Sequence, residues 1–375
     1  MKIIADENIA LVEPLFSCFG EVVTVSGRDI TNDLVKQADV LLVRSIIPVD
    51  QALLEGSHVK FVGTATIGTD HLDEYYLQQQ GIVYASAPGC NAEGVVQYVL
   101  SALSATLDDW AGKTIGIVGC GNVGGRLYQR LQSLNVQCRC YDPFLSDQQQ
   151  ADLVPFAEIL SCDVICLHTP LTHDGEYPTF HLFNEAVLRQ LKPGTLLLNA
   201  GRGAVIDNTA LGKVLNDQDL QVVLDVWEGE PQPDLSLLAK VALATPHIAG
   251  YSFDGKLRGS LMIRAAMASW CGQETAEPVV EQLAEQEECP LPASSISQAI
   301  LGSYDIREDD RKMRNSLLKP GVKVGVEFDR LRKYYPKRLE FSHFVIPMCS
   351  NNGQRWSQDE LAVLAALGFK RPPSD

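Results

Sequence analysis

The stretch IGIVGCGNVGGRLYQRLQSLNVQCRCYD, at residues 115–142, constrains the fold of this 375-residue chain more than any other. An apolar run enters a glycine loop, Gly119-x-Gly121-x-x-Gly124, and an amphipathic helical pattern and a second apolar run ending in Asp142 follow. Gly119 permits a tight turn, Gly121 allows the backbone to approach a pyrophosphate, and Gly124 lets helix and strand pack closely. This order of strand, loop, helix, strand and acid predicts a dinucleotide-binding βαβ unit.

The loop and the acid also indicate which dinucleotide the unit binds. Asn122 and Val123 begin the predicted helix, whose N-terminus attracts phosphate. Asp142 can accept hydrogen bonds from the adenosine ribose hydroxyls, and its charge would repel a 2′-phosphate. We therefore predict NAD rather than NADP as the cofactor. A glycine-rich turn without a ligand is the structural alternative.

Short apolar runs alternate with helical patterns through most of the chain, as in parallel sheets covered by helices on both faces. We predict an α/β protein with two doubly wound parallel-sheet domains, one flavodoxin-like and one of the Rossmann type, plus a small C-terminal α+β domain. The predicted strands are 3–5, 22–25, 40–43, 61–63 and 82–84 in the first sheet, and 114–118, 137–142, 163–168, 195–200, 221–226 and 241–245 in the second.

The domain boundaries follow from the same alternation. Residues 1–92 and 251–275 are predicted to form the first domain, residues 93–250 the dinucleotide-binding domain, and residues 285–375 the C-terminal domain. Residues 273–295 are rich in Glu, Gln and Pro, which is typical of a linker.

Composition excludes several classes of protein. The net charge of −16 argues against nucleic-acid binding and against docking on anionic membranes. No apolar run is long enough to span a bilayer, and the N-terminus lacks the apolar core of a signal peptide, so we expect a cytoplasmic protein. The ten cysteines form no C-x-x-C pair and the seven histidines no metal-binding motif, so we expect buried thiols and no metal.

Three polar residues at or after predicted strand ends suggest a catalytic set. Oxidation of a secondary alcohol by NAD needs a base near neutrality, for which His247 is suited. A carboxylate beside the ring, such as Glu230, would fix its tautomer and stabilise the imidazolium. The Arg202 guanidinium can bind a substrate carboxylate through two parallel hydrogen bonds. Taken singly, each has a structural alternative: a strand-end histidine, a loop glutamate and a surface-turn arginine.

Ligands of doubly wound sheets lie at the carboxyl ends of the strands, and most candidate residues fall at that edge. Asp225 could hold the nicotinamide carboxamide or its ribose. The other candidate cofactor residues at strand ends in this domain are Thr169, Ala200, Gly201 and Arg202.

Five motifs together resemble the D-isomer-specific 2-hydroxyacid dehydrogenase family: GIVGCGNVGGRL, HTPLT, LKPGTLLLNAGRGAVID, LDVWEGEP and TPHIAG. The resemblance implies that Arg202, Glu230 and His247 are catalytic. It also implies a split substrate-binding domain, made from the N-terminal segment and a returning helix. Closure of the cleft between the two α/β domains is expected, with hinges near residues 92–94 and 251–255.

The likeness to one member of the family extends over almost the whole chain, including the C-terminal YDIREDD and FDRLRKYY segments. It implies a small phosphorylated hydroxy acid as substrate, and a homodimer joined partly by the C-terminal domain. Ser45, Thr66 and Tyr251 would contact the substrate. The residues implied to contact NAD are Asp142, Thr169, Asp225 and Gly250.

The phosphate of such a substrate needs a second cationic contact besides Arg202. Arg44 is the candidate in the first domain, and a basic residue from the C-terminal domain of a partner subunit is the other. Arg44 has a structural alternative as a solvated strand-end arginine, Ser45 as a helix cap and Tyr251 as a core-edge aromatic.

Two rival functions stay open from the sequence. One is another enzyme of the family, of the phosphoglycerate or hydroxypyruvate type. The other is a nicotinamide-sensing binding protein on the same fold. The intact set of arginine, glutamate and histidine favours an enzyme, since a sensor need not keep a proton-transfer pair.

Overall fold

The computed structural model describes residues 1–273, 288–349, 353 and 355–371. These residues group into two compact units. The first comprises Met1–Asn91 and the described part of Ser252–Glu287, and the second comprises Ala92–Tyr251 with the described chain from Glu288. Most of the predicted linker, at residues 274–287, lies outside the described residues.

The first unit contains a five-stranded parallel sheet of order β2-β1-β3-β4-β5. Its central strands are wholly buried, in keeping with their uninterrupted apolar sequence. Its strands are β1 Lys2–Asp6, β2 Glu21–Val25, β3 Val40–Val43, β4 Phe61–Thr64 and β5 Val83–Ala85. Its helices are α1 Val12–Phe16, α2 Asn32–Val35, α3 Gln51–Leu54 and α4 Glu74–Gln79, joined later in the chain by Phe253–Cys271.

The second unit contains a six-stranded parallel sheet of order β11-β10-β9-β8-β6-β7. The order reverses between β6 and β8, which makes the carboxyl end of β6 the switch point where such sheets bind ligands. Its strands are β6 Ile115–Val118, β7 Cys138–Tyr141, β8 Val164–Leu167, β9 Leu196–Asn199, β10 Gln221–Leu224 and β11 Leu243–Ala244. Its helices before residue 252 are α5 Ala92–Thr106, α6 Asn122–Ser133, α7 Phe156–Ile159, α8 Glu185–Leu188, α9 Asn208–Asp217 and α10 Leu235–Leu238.

The chain from Glu288 adds a small region of helices with one short strand pair. Following α11 Phe253–Cys271, its elements are β12 Cys289–Pro290, α12 Ile296–Ser303, α13 Ile306–Leu317, α14 Val324–Lys333, β13 Phe344–Val345 and α15 Gln358–Leu367. β12 and β13 pair in parallel. The predicted fold class, two parallel-sheet α/β folds with a small C-terminal addition, is confirmed.

The C-terminal region groups with the second unit and does not form a third compact unit among the described residues. Hydrogen bonds tie it to the sheet and to α5: the Ala244 amide, on edge strand β11, donates to Asp310 Oδ1 at 2.8 Å. The Ser101 hydroxyl donates to the Tyr304 carbonyl at 2.7 Å. Buried Met313 and Phe328 lie in the same apolar cluster as β10. A role in dimerisation stays a prediction.

Helix α4 begins at Glu74. The physical reason is a cap: the Asp73 carboxylate accepts a hydrogen bond from the Tyr76 amide at 2.9 Å and so defines the first turn.

Within the part of the chain that the structure describes, no helix has the length and apolar character needed to cross a membrane.

Candidate active site

The glycine loop has the shape expected of a pyrophosphate cradle. Gly119 has a φ of +85°, in the left-handed region that favours glycine. A Cβ on Gly124 would lie 1.9 Å from the Gly119 carbonyl oxygen, so close packing of α6 against β6 requires glycine there. A Cβ on Gly121 would meet nothing within 4 Å, which leaves open space at the start of α6. No side chain caps that helix, so its first amides are available to a phosphate.

Two alanine substitutions separate the two uses of glycine in this loop. We expect Gly124→Ala to lower the free energy of unfolding by about 1–3 kcal/mol, because the new methyl group meets backbone. Gly121→Ala has room for its methyl group, so stability should change little, whereas the dissociation constant for NAD should rise at least about tenfold. Urea denaturation and calorimetric titration with NAD measure the two effects. Unchanged NAD affinity in Gly121→Ala would contradict the cradle.

Asp142 lies at the end of β7, next to the loop. Its Oδ2 accepts a hydrogen bond from the Cys120 amide at 2.9 Å, and its Oδ1 accepts one from the Phe144 amide at 3.1 Å. These bonds fix the carboxylate beside the glycine loop. A carboxylate has further lone pairs, so both oxygens remain able to accept from ribose hydroxyls.

Two residues just after β8 carry buried polar atoms that have no partner among the described residues. Within the described chain, the Thr169 hydroxyl and both His168 ring nitrogens have no hydrogen-bond partner. Burial lowers the pKa of His168 to about 4, which keeps its ring neutral. Thr169 also packs against Gly119, where a Cβ would lie 2.8 Å from Thr169 Cγ2. A buried hydroxyl without a partner at the switch point fits a bound dinucleotide.

The segment after β9 is held by its own asparagine. The Asn199 side chain accepts from the Gly201 amide at 3.0 Å and donates to the Arg202 carbonyl at 2.9 Å. These two bonds fix the backbone that carries Arg202. The next residue, Gly203, lies against the Trp227 backbone, which brings the arginine segment to the loop that carries Glu230.

His247 and Glu230 form the predicted pair. His247 Nδ1 lies 2.7 Å from Glu230 Oε2, and Glu230 Oε1 accepts a hydrogen bond from the Trp227 amide at 2.7 Å. Burial alone would raise the pKa of Glu230. The charge and hydrogen bond of His247 and the charge of Arg332 outweigh burial and hold that pKa below its usual value. The ionised carboxylate therefore keeps the proton of a neutral His247 on Nδ1, which leaves Nε2 as an acceptor.

Asp225 organises the loop that carries His247. Its carboxylate accepts hydrogen bonds from the Thr245 hydroxyl and the Ile248 amide, both at 2.7 Å, and from the Ala249 amide at 2.9 Å. The residue is 1% exposed, and burial raises its pKa. Its backbone carbonyl also accepts from the His247 amide. These contacts give Asp225 a positioning role beside the predicted contact with the nicotinamide end of NAD.

One cluster at this edge was not predicted from the sequence. His181 Nε2 lies 2.8 Å from Glu228 Oε1, and Glu228 Oε2 accepts from the Asn208 amide at 3.2 Å. With Asp207 these side chains offer ligand atoms within 4.8 Å of one another, a set that could hold a metal ion. Its hydrogen bonds brace the loop two residues before Glu230. In the sequence, this cluster is marked only by Glu228, which lies two residues before Glu230. That spacing gives no indication that His181 lies nearby in the fold.

The three substrate residues predicted from the first unit lie at the carboxyl ends of β3 and β4. Arg44 is paired with Asp6, with Nε–Oδ2 at 3.0 Å and a second contact at 3.4 Å. The Thr66 hydroxyl lies 2.7 Å from the Thr64 hydroxyl. Ser45 directly follows Arg44. The pairing with a buried carboxylate offsets much of the charge that Arg44 would offer a phosphate.

Comparisons with known proteins agree with this geometry. Residues 97–249 match the family described as "D-isomer specific 2-hydroxyacid dehydrogenase, NAD binding domain". Residues 276–368 match a "Domain of unknown function (DUF3410)". The 3-phosphoglycerate dehydrogenase of Entamoeba histolytica, solved with NAD⁺, has a TM-score of 0.63 at 23% identity and covers 74% of this chain and 97% of its own. At that identity the likeness concerns the fold.

Curated relatives match over nearly the full length. A Teredinibacter turnerae protein named erythronate-4-phosphate dehydrogenase is 50% identical, covering 98% of both chains. A protein of the same name from Cellvibrio japonicus is 46% identical, covering 99% of this chain and all of its own. The fold, the glycine loop and the histidine–glutamate pair thus define an NAD-dependent dehydrogenase. The chain belongs to the D-isomer specific 2-hydroxyacid dehydrogenase family, in the group whose curated members are named erythronate-4-phosphate dehydrogenase.

Proposed function

We propose that this enzyme oxidises 4-phospho-D-erythronate at C2 to (R)-3-hydroxy-2-oxo-4-phosphobutanoate, with NAD as oxidant, in the biosynthesis of pyridoxal 5′-phosphate. The names of the relatives at 46–50% identity support the substrate. The observation that carries the chemistry is the 2.7 Å contact between His247 and Glu230, in the same unit as the glycine loop.

The residues divide the reaction between them. Bound NAD supplies the acceptor for the hydride that leaves C2. His247 Nε2 takes the proton of the C2 hydroxyl, and the C–O bond becomes a carbonyl. Glu230 stays ionised and stabilises the imidazolium that forms, at a contact already made in the resting protein. No side chain has to rotate to assemble the base, which lowers the reorganisation needed for proton transfer.

Arg202 is proposed to bind the substrate carboxylate. Its planar guanidinium can hold the carboxylate with two parallel hydrogen bonds and orient C2 towards the base. In the resting chain Arg202 Nη1 donates to the Gly201 carbonyl at 3.0 Å. Ser45, Thr66 and Tyr251 remain proposed substrate contacts, and the residues of the glycine loop, Asp142, Thr169, Ala200, Asp225 and Gly250 remain proposed contacts of NAD.

Turnover of a panel of 2-hydroxy acids with NAD tests the proposal. We expect the highest kcat/KM for 4-phospho-D-erythronate, and lower values for 3-phosphoglycerate, for glycerate and for unphosphorylated D-erythronate. A strong preference for 3-phosphoglycerate would favour a phosphoglycerate-type enzyme. NAD binding with no turnover of any acid would favour a nicotinamide sensor.

A homodimer in the cytoplasm completes the proposal. Large apolar side chains in the C-terminal region are exposed in the single chain, among them Val326 at 61% and Met348 at 63%. Such side chains support an interface there, since exposed apolar surface is costly in water. Sedimentation at micromolar concentration distinguishes a dimer from a monomer.

A further inference from the structure

The C-terminal region lies against the loop that carries Glu230. This region matches a domain whose function is unknown. A Cβ on Gly325, in the first turn of α14, would lie 3.4 Å from Pro231 Cγ. Further along the helix Phe328 is fully buried in the apolar core of the second unit. The close approach of Gly325 to Pro231 and the burial of Phe328 place α14 beside the loop that carries Glu230.

Arg332 is on the last turn of this helix and contacts Tyr251. Its Nε donates to the Tyr251 hydroxyl at 3.2 Å, and its guanidinium carbon lies 5.7 Å from the centre of the tyrosine ring. The Tyr251 ring also packs edge-on against Tyr335, with centroids 5.8 Å apart. Tyr251 is four residues after His247, so the arginine lies beside the segment that carries the catalytic base.

We propose that Arg332 and Tyr251 together bind the phosphate at the far end of the substrate. The inference rests on the proposed function, because Arg332 and Tyr251 have this ligand only if the substrate carries a phosphate. It assigns to the C-terminal region a part in substrate selection, made by the same chain that carries the catalytic residues.

The chemistry of the pair suits a phosphate. Only Nε of Arg332 is used in the bond to Tyr251, and the terminal NH₂ groups of a guanidinium are suited to bidentate binding of a phosphate. The tyrosine hydroxyl can donate to a phosphate oxygen while it accepts from Arg332. The hydrogen bond of Arg332 is thus made to a neutral hydroxyl, whereas Arg44 is paired with the Asp6 carboxylate.

A positioning role is the competing explanation. The charge of Arg332 helps to hold the pKa of Glu230 below its usual value, so loss of the arginine could disturb the catalytic pair itself. Such a loss would act on every substrate alike. Loss of a phosphate contact would act only on phosphorylated substrates, which allows the two explanations to be separated.

The test compares Arg332→Met with Arg330→Met, on the same helix. Arg330 is exposed and pairs with Glu327 at 2.7 Å, which makes it a matched control. Steady-state kinetics are measured for both variants and the wild type, with 4-phospho-D-erythronate and with unphosphorylated D-erythronate. Inhibition by inorganic phosphate is measured with unphosphorylated D-erythronate as substrate, as a readout of phosphate binding that does not depend on turnover of the phosphorylated acid.

We expect Arg332→Met to lower kcat/KM for the phosphorylated acid by about 10²-fold, chiefly through KM, and to change that for erythronate less than about threefold. Inhibition by inorganic phosphate should weaken in parallel, and Arg330→Met should resemble the wild type. Equal losses of kcat/KM on both acids, or no loss on the phosphorylated acid, would overturn the inference. If the wild type does not oxidise 4-phospho-D-erythronate, the proposed function itself fails.

Discussion

Replacing His247 with asparagine is expected to lower kcat by about 10²–10⁴-fold, the size usual for loss of a general base. The asparagine keeps a polar side chain of moderate size but has no group that accepts a proton near neutral pH. The loop itself should persist, because Asp225 holds it through the Ile248 and Ala249 amides. Rapid-quench or steady-state assays with 4-phospho-D-erythronate measure the effect.

NAD binding provides the control for that variant. The glycine loop and Asp142 lie at the ends of β6 and β7, whereas the His247 ring is hydrogen-bonded to Glu230, which follows β10. Calorimetric titration should therefore give an NAD dissociation constant within about threefold of the wild type. Turnover close to that of the wild type would reject His247 as the base.

Glu230→Gln is the second substitution with a large expected effect, about 10³-fold in kcat. The two carboxylate oxygens each accept a hydrogen bond, one from the Trp227 amide and one from His247 Nδ1. A glutamine has one acceptor oxygen, so its NH₂ group must face either a backbone N–H or the ring. If it faces the ring, it donates to Nδ1 and places the imidazole proton on Nε2, the nitrogen needed as acceptor.

The pH dependence of stability checks the same contact. The pKa of Glu230 is lower in the folded chain than its usual value. As pH falls, Glu230 is therefore protonated in the unfolded chain before it is protonated in the folded chain. The stabilisation by the ionised carboxylate is complete above the usual pKa of a glutamate, and is lost as pH falls through the folded pKa. We expect Glu230→Gln to lose less stability than the wild type between about pH 5 and pH 3. Parallel losses would contradict an ionised, paired glutamate.

Much of the fold could be predicted from the sequence because parallel strands buried on both faces are uninterrupted apolar runs. Val164–Leu167 and Leu196–Asn199 are apolar runs buried on both faces, and both were predicted within a residue or so. Glycine at position 124 was predicted from its spacing, and the structure shows the backbone carbonyl that requires it. The His247–Glu230 contact was predicted because both residues follow strands of one sheet, so that topology brings them to one edge.

Other features depend on contacts that no local pattern records. Asp225 was predicted as a cofactor contact, but its three hydrogen bonds to the histidine loop depend on how that loop folds back over β10. His181 lies 47 residues before Glu228 and carries no motif. Arg332 lies 81 residues after Tyr251, in a charged segment that carries no catalytic motif. Such pairs are set by tertiary packing alone.

The most direct test of the central claim is the fate of the hydrogen on C2. The wild-type enzyme is supplied with NAD and 4-phospho-D-erythronate deuterated at C2, and the reduced cofactor is examined by mass spectrometry and proton NMR. If the His247–Glu230 pair removes the hydroxyl proton while C2 gives up hydride, the deuterium is found at C4 of the reduced nicotinamide and none is lost to water. Reduced cofactor without deuterium, or deuterium released to solvent, would contradict the account.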